Sequence, residues 1–162
     1  MLSEPVGTML EMTERPALNA IGPYRGGMLL RLEEPAVDFY RFLLRSIGFA
    51  SDDSRLELTD DALFELLQDP LIEVFVLFSG GAPAGLFELD RRVPDEVELA
   101  RFGLLPGFGG RGLAKYLLAA AVDTAWDENP SRVWVSVRGD GDARSLLLYQ
   151  WAGFSAYSTS PD

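Results

Sequence analysis

The most informative stretch of the sequence is Gly107-Phe108-Gly109-Gly110-Arg111-Gly112-Leu113-Ala114-Lys115. It lies between a segment typical of a strand, residues 97–105, and a continuous helical pattern over residues 113–126. Glycines leave backbone N–H groups uncovered, and the first turn of a helix adds unpaired donors and the positive end of its dipole. The glycine loop, residues 107–112, therefore predicts a phosphate site, with a flexible strand-to-helix turn as the alternative.

The composition limits the class of protein. The chain has 162 residues, 48% of them hydrophobic and 24% charged, which favours one domain with a real core. No apolar run approaches the ~20 residues of a membrane span, and no signal-peptide pattern opens the sequence, so we expect a cytoplasmic protein without a membrane partner. A net charge of −11 argues against nucleic acid as a partner and favours a cationic small molecule.

Cysteine and histidine are both absent from the sequence. Their absence excludes disulfides and thiol catalysis, and it removes the commonest general base and the commonest zinc ligand. Any acid–base chemistry must then come from carboxylates, tyrosine, lysine or water. We expect no metal.

Periodicity divides the chain into an N-terminal arm and one domain. Residues 1–27 contain three prolines without clear periodicity, so we predict an extended arm with one short helical turn and an unclear role. Residues 28–162 are predicted to form a single α/β (α+β) domain with about six strands and about four helices. The predicted strands are residues 28–32, 72–78, 84–89, 97–105, 132–137 and 154–158, and the predicted helices are residues 35–49, 60–69, 113–126 and 142–151.

The strand that precedes the glycine loop contains an isolated glycine, Gly103. Such a glycine marks a bulge or a close approach of another backbone segment. A bulge at this position would splay the strand away from its next neighbour.

A second motif stands on the last predicted helix, where Leu148-Tyr149-Gln150-Trp151-Ala152-Gly153-Phe154 places a Leu-Tyr pair before a Gly-Phe pair. In the glycine loop, Gly109, Gly112 and Ala114 occupy the places of a pattern with Gln or Arg, two residues, Gly, one residue, and Gly or Ala. With this order of elements, residues 28–157 resemble the GCN5-related N-acetyltransferase (GNAT) superfamily. The resemblance implies a mixed, mostly antiparallel sheet that is splayed at the strand before the glycine loop.

The resemblance also implies a function, the acetyl-CoA-dependent transfer of an acetyl group to the primary amine of a small molecule by direct attack. The diphosphate would lie on the glycine-loop amides, and the pantetheine arm would pair with the backbone beside Gly103. A backbone N–H near Leu104 would polarise the thioester carbonyl. The implied cofactor-binding residues are Phe102, Leu104, Gly109, Gly110, Arg111, Gly112, Leu113, Ala114, Lys115 and Asp142.

Two side chains are candidates for proton transfer. Tyr149 stands where the family often has a tyrosine that protonates the departing thiolate, and a core tyrosine is the alternative. Glu98, near the start of the central strand, is the candidate base for the substrate ammonium. Glu88 and water are alternatives for the same role.

The chain departs from the family pattern in three places. Gly109 replaces the usual Gln or Arg, and Asp142 and Ser145 stand where the family often has Asn and Ala, so the contact from that helix is open. The chain also ends one strand early. The acceptor side would then be completed by the N-terminal arm or by a second subunit of a homodimer.

Two other functions fit parts of the pattern. The glycine loop is formally a GxGxxG followed by Asp140, as in dinucleotide-binding folds, although an antiparallel meander precedes it here. The second is a non-catalytic acyl-CoA-binding sensor or interaction module of the same fold.

Overall fold

A computed structural model of the chain describes residues 8–18, 26–49, 53–137 and 143–159. Within these ranges one sheet has helices on both faces. The strands are β1 (Thr8–Met12), β2 (Gly27–Arg31), β3 (Ile72–Ser79), β4 (Ala82–Asp90), β5 (Glu96–Leu104), β6 (Arg132–Val137) and β7 (Ser155–Thr159). The helices are α1 (Val37–Ile47), α2 (Asp60–Leu67), α3 (Leu113–Ala125), which continues into a short 3₁₀ turn (Trp126–Glu128), and α4 (Ala143–Ala152).

The sheet has seven strands in the order β2-β3-β4-β5-β6-β1-β7. Every pair is antiparallel except β5–β6, which is parallel. The predicted class and the mostly antiparallel sheet are confirmed, with seven strands where about six were expected. A doubly wound parallel sheet, which the dinucleotide alternative requires, is excluded by this topology.

The additional strand is β1, which comes from the predicted N-terminal arm. It lies between β6 and β7 and pairs with both. Leu10 and Met12 point into the core with exposed fractions of 1% and 5%, while Glu11 between them is only half-buried. This alternation is the period of a strand with one buried face, and residues 8–18 contain no helical turn. The N-terminal arm, one of the two sequence alternatives, therefore supplies the extra strand.

The two faces of the sheet carry separate cores. The face under α3 and α4 buries Phe87, Leu117 and Val135, and the face under α1 and α2 buries Leu44 and Val76. Strand alternation sends successive residues to opposite faces, so β4 is buried on both sides, whereas β5 alternates between buried and half-buried residues. None of the helices in the described ranges is long and apolar enough to cross a membrane.

Candidate functional site

The sheet opens along one edge of β5. β5 pairs with β6 only at its first three residues, ending with Glu98 opposite Trp134. Its pairing with β4 continues to Leu104, opposite Gly85. Beyond Glu98, β5 is therefore paired on one side only among the described strands, and the predicted splay is confirmed.

The bulge that accompanies this opening is not where the sequence predicted it. The β4–β5 register shifts between Glu88 and Leu89, which leaves Ala100 without an opposite residue, whereas Gly103 pairs in register with Leu86. Of the two alternatives that the sequence left open at Gly103, the bulge is not found. A Cβ atom at Gly103 would lie 2.4 Å from a methyl carbon of Ile47 in α1, so the glycine is needed for close helix approach.

In the second half of β5, every second backbone N–H group points into the opening. The Leu105 N–H donates to the Ala84 carbonyl of β4 at 2.8 Å. Because successive N–H groups of a strand point to opposite sides, those of Phe102 and Leu104 point away from β4 and into the gap. These are two of the cofactor-binding residues expected from the sequence.

The glycine loop follows directly at the end of this strand. Gly107, Gly110 and Gly112 have φ angles of +92°, +77° and +75°, which residues with a side chain adopt only with strain. Gly109 does not share this conformation, and apart from its chain neighbours no atom of the described residues lies within 4 Å of the position of its Cβ. The backbone path therefore requires three of the four glycines, and the departure at Gly109 has no steric cause.

The loop ends in an uncapped helix start. Gly112 is the N-cap of α3 and offers no side-chain acceptor, and the first turn contains no acidic residue. No acceptor among the described residues receives a hydrogen bond from the backbone amides of residues 109–115. These N–H groups, together with the helix dipole, make a site for an anion.

Two cations flank these amides in a chain of net charge −11. The Arg111 guanidinium lies 5.8 Å from the centre of the Phe108 ring, and the Lys115 ammonium lies 5.1 Å from the centre of the Trp151 ring. Both side chains are exposed, and Lys115 is the only lysine in the sequence. The local charge therefore favours a phosphate although the whole protein is acidic.

Tyr149, on α4, packs against the second half of β5. Its ring makes edge contacts with Phe102 on β5, at 6.2 Å between ring centres, and with Phe154, at 5.7 Å. Burial raises the pKa of Tyr149 to about 12, so the phenol is protonated at neutral pH. Its hydroxyl has no hydrogen-bond partner among the described residues, unlike that of an ordinary core tyrosine.

Glu98 occupies the point where the sheet opens. Burial, and secondarily the Asp90 carboxylate beside it, raises the pKa of Glu98 above the usual value, while Arg101 and Arg55 oppose the shift. No hydrogen bond or ion pair to its carboxylate is found in the described part of the chain. The side chain lines a cavity of about 210 Å³. The residues around this cavity are Asp90, Arg92, Val93, Glu96, Glu98 and Trp134.

Glu88, the alternative base, lies in a different environment. Its carboxylate is fully buried and accepts hydrogen bonds from Arg55 Nη2 at 2.9 Å and from the Tyr40 hydroxyl. Arg101 Nη1 lies 3.5 Å away, and Arg101 also binds Asp53 at 2.7 Å. Both carboxylate oxygens of Glu88 are thus occupied within a buried ion-pair cluster. Sequence reasoning missed its arginine and tyrosine partners, although a lone carboxylate in an apolar strand was a signal for them.

The remaining sequence candidates are less informative. Asp142 and Asp140 lie outside the described residues, and Ser145 is half-buried in the first turn of α4. No group of three or more carboxylates in the described ranges is placed to hold a metal ion.

Comparison of the sequence with known proteins identifies its family. A model of the acetyltransferase (GNAT) family matches residues 36–154. Uncharacterized N-acetyltransferases of Mycobacterium tuberculosis and Mycobacterium bovis are 33% identical over 95 residues, or 59% of this chain and 60% of each relative. The N-alpha-acetyltransferase RimI of Mycobacterium tuberculosis is 38% identical over 71 residues, or 44% of this chain and 42% of RimI. The chain thus spans about 60% of the length of the uncharacterized N-acetyltransferases that it matches.

Solved structures share the fold. A tandem GNAT protein from the clavulanic acid biosynthesis pathway superposes with a TM-score of 0.71 at 15% identity, covering 99% of this chain and 55% of that protein. An acetyltransferase of Bacillus subtilis in complex with CoA superposes with a TM-score of 0.62 at 21% identity, covering 82% of this chain and 78% of that protein. The family model includes the glycine loop, the opened strand and Tyr149, and we conclude that this chain belongs to the acetyltransferase (GNAT) family.

Proposed function

We propose that the protein is an acetyl-CoA-dependent N-acetyltransferase that acetylates the primary amine of a small molecule. The observation that carries this proposal is the continuity of one feature: the free edge of β5 leads directly into unpaired amides at the start of α3. An extended chain ending in a diphosphate fits such a path. Family membership and the CoA-bound Bacillus subtilis relative of the same fold support the choice of donor.

The residues that would hold the donor fit its chemistry. The diphosphate would lie on the amides of residues 109–115, with Arg111 and Lys115 supplying positive charge. The N–H groups of Phe102 and Leu104 would pair with the amides of the pantetheine arm, as in strand addition. Bound acetyl-CoA supplies the thioester that the amine attacks, and all of these groups belong to the domain proposed from the sequence, residues 28–162.

Proton transfer would be divided between two side chains. Glu98, which has no hydrogen-bond or ion-pair partner among the described residues, accepts a proton from the acceptor ammonium directly or through one water. Its raised pKa makes this carboxylate a better base than a solvated glutamate. Tyr149 donates its phenolic proton to the departing thiolate, and a backbone N–H near Leu104 stabilises the developing oxyanion.

The acceptor is proposed to be a small cationic amine because the cavity beside Glu98 is small and three of its six lining residues are carboxylates. A second candidate is the N-terminal amine of a protein. The similarity to RimI, which is named as an N-alpha-acetyltransferase, favours it. Both acceptors would use the same base and the same donor site.

Calorimetry with acetyl-CoA and with NAD, followed by thiol release on a panel of small amines and peptides with free N-termini, tests the proposal. We expect the protein to bind acetyl-CoA but not NAD, and to turn over at least one small amine. Turnover restricted to peptides would support the second candidate. Tight acetyl-CoA binding with no turnover on either class would favour the sensor alternative, and failure to bind acetyl-CoA would refute the proposal.

A further inference from the structure

An exposed apolar patch adjoins the glycine loop. Leu147 and Trp151 lie one turn apart on α4, with exposed fractions of 66% and 38%. Residues four apart share one face of a helix, so the two side chains form a continuous surface. Neither contributes to the core, and the proton-transfer and diphosphate groups proposed above leave this surface unused.

Lys115 connects this patch to the anion site. It is the third residue of α3, so its own amide is one of the unpaired first-turn donors, and its ammonium lies 5.1 Å from the centre of the Trp151 ring. A partly exposed indole and the sole lysine of the chain thus lie together at the phosphate end of the gap. A ligand that combines an aromatic ring with phosphates has matching chemistry.

Other aromatic side chains are less suited to such a ligand. Phe108, in the glycine loop itself, is packed against both cores and lies under Arg111. Of the three tryptophans, Trp126 is 4% exposed, and Trp134 lies at the other end of the gap, opposite Glu98. Among the described tryptophans, Trp151 is the one that is exposed beside the first turn of α3.

We infer that Trp151 is the stacking surface for the adenine ring of acetyl-CoA, that Leu147 extends this surface, and that Lys115 binds a phosphate of the same nucleotide. This inference rests on the proposed function. A purine has two π-faces and stacks on an indole without needing hydrogen bonds. The flexible lysine stem allows the ammonium to move from the indole ring to a phosphate, which leaves the ring free to receive the base.

The test compares ligands with and without the base. Binding of acetyl-CoA, adenosine 3′,5′-bisphosphate and acetyl-phosphopantetheine is measured by calorimetry for the wild type, Trp151→Ala and Trp151→Phe. We expect Trp151→Ala to weaken acetyl-CoA and the bisphosphate about ten- to a hundred-fold and to leave acetyl-phosphopantetheine unchanged. Trp151→Phe should recover most of the affinity because it keeps a ring.

A matched control is Phe64→Ala, which removes a comparably exposed aromatic ring, 55% exposed, from α2. It should bind all three ligands like the wild type. Equal affinity of Trp151→Ala and wild type for acetyl-CoA would overturn the inference, as would an equal loss for acetyl-phosphopantetheine. Either result leaves the proposed function intact, whereas a wild type that binds no acetyl-CoA removes both.

Discussion

Replacing Glu88 with glutamine should destabilise the protein strongly, because the substitution leaves a buried guanidinium without its carboxylate. Arg55 is about 9% exposed, and Glu88 is the one carboxylate that forms an ion pair with its guanidinium in the described part of the chain. Arg101 keeps Asp53 at 2.7 Å, so one buried charge loses its partner rather than two. Breaking such a pair costs about 3–5 kcal/mol, and the retained partner of Arg101 places the loss at the lower end, about 3 kcal/mol.

The assay is urea and thermal unfolding of Glu88→Gln followed by circular dichroism. A loss of about 3 kcal/mol corresponds to a fall of roughly 6–12 °C in the midpoint for a chain of this size. Glu57→Gln is the matched control, since Glu57 is an exposed glutamate in the segment that carries Arg55, and its free energy of unfolding should change by less than about 0.5 kcal/mol.

A second variant separates the lost ion pair from a general packing defect. Adding Arg55→Met to Glu88→Gln removes the unpaired charge, so the double variant should be more stable than Glu88→Gln alone. Equal stability of Glu88→Gln and Glu57→Gln, or no recovery in the double variant, would show that Glu88 does not stabilise the fold by pairing with Arg55.

Three further predictions concern the proposed site. Glu98→Gln should lower turnover at neutral pH and remove the acidic limb of the pH–rate profile. It should also make the fold more stable at neutral pH, because a carboxyl whose folded pKa is raised loses stability as pH rises from its unfolded value of 4.5 toward the raised one; unfolding curves at pH 4 and 7 check the sign. Tyr149→Phe should lower turnover about a hundred-fold with unchanged acetyl-CoA affinity, and since its hydroxyl has no described partner, an altered melting temperature would contradict this geometry. Gly112→Ala, at φ +75°, should lose about 1 kcal/mol of unfolding free energy and weaken acetyl-CoA binding, whereas Gly109→Ala, where φ is not left-handed, should retain stability; calorimetry and melting curves distinguish them.

Local patterns in the sequence determined most of the elements and the phosphate end of the site. Hydrophobic periods of 2 and 3.6 residues located six strands and four helices, because these periods are set by residues that are close together in the sequence. The glycine loop was recognisable for the same reason, since positive φ angles at Gly110 and Gly112 are a requirement of the local backbone.

Tertiary contacts decided the rest. β1 was missed because five residues flanked by proline and glycine become a strand only when β6 and β7 pair with both edges. Gly103 is required because Ile47 of α1, distant in sequence, packs against it, and not because its own strand has a bulge there. Glu88 and Glu98 are alike in sequence, but only Glu88 is fully buried and paired with an arginine among the described residues. Burial and charge pairing depend on the folded arrangement, so the sequence could not distinguish the two.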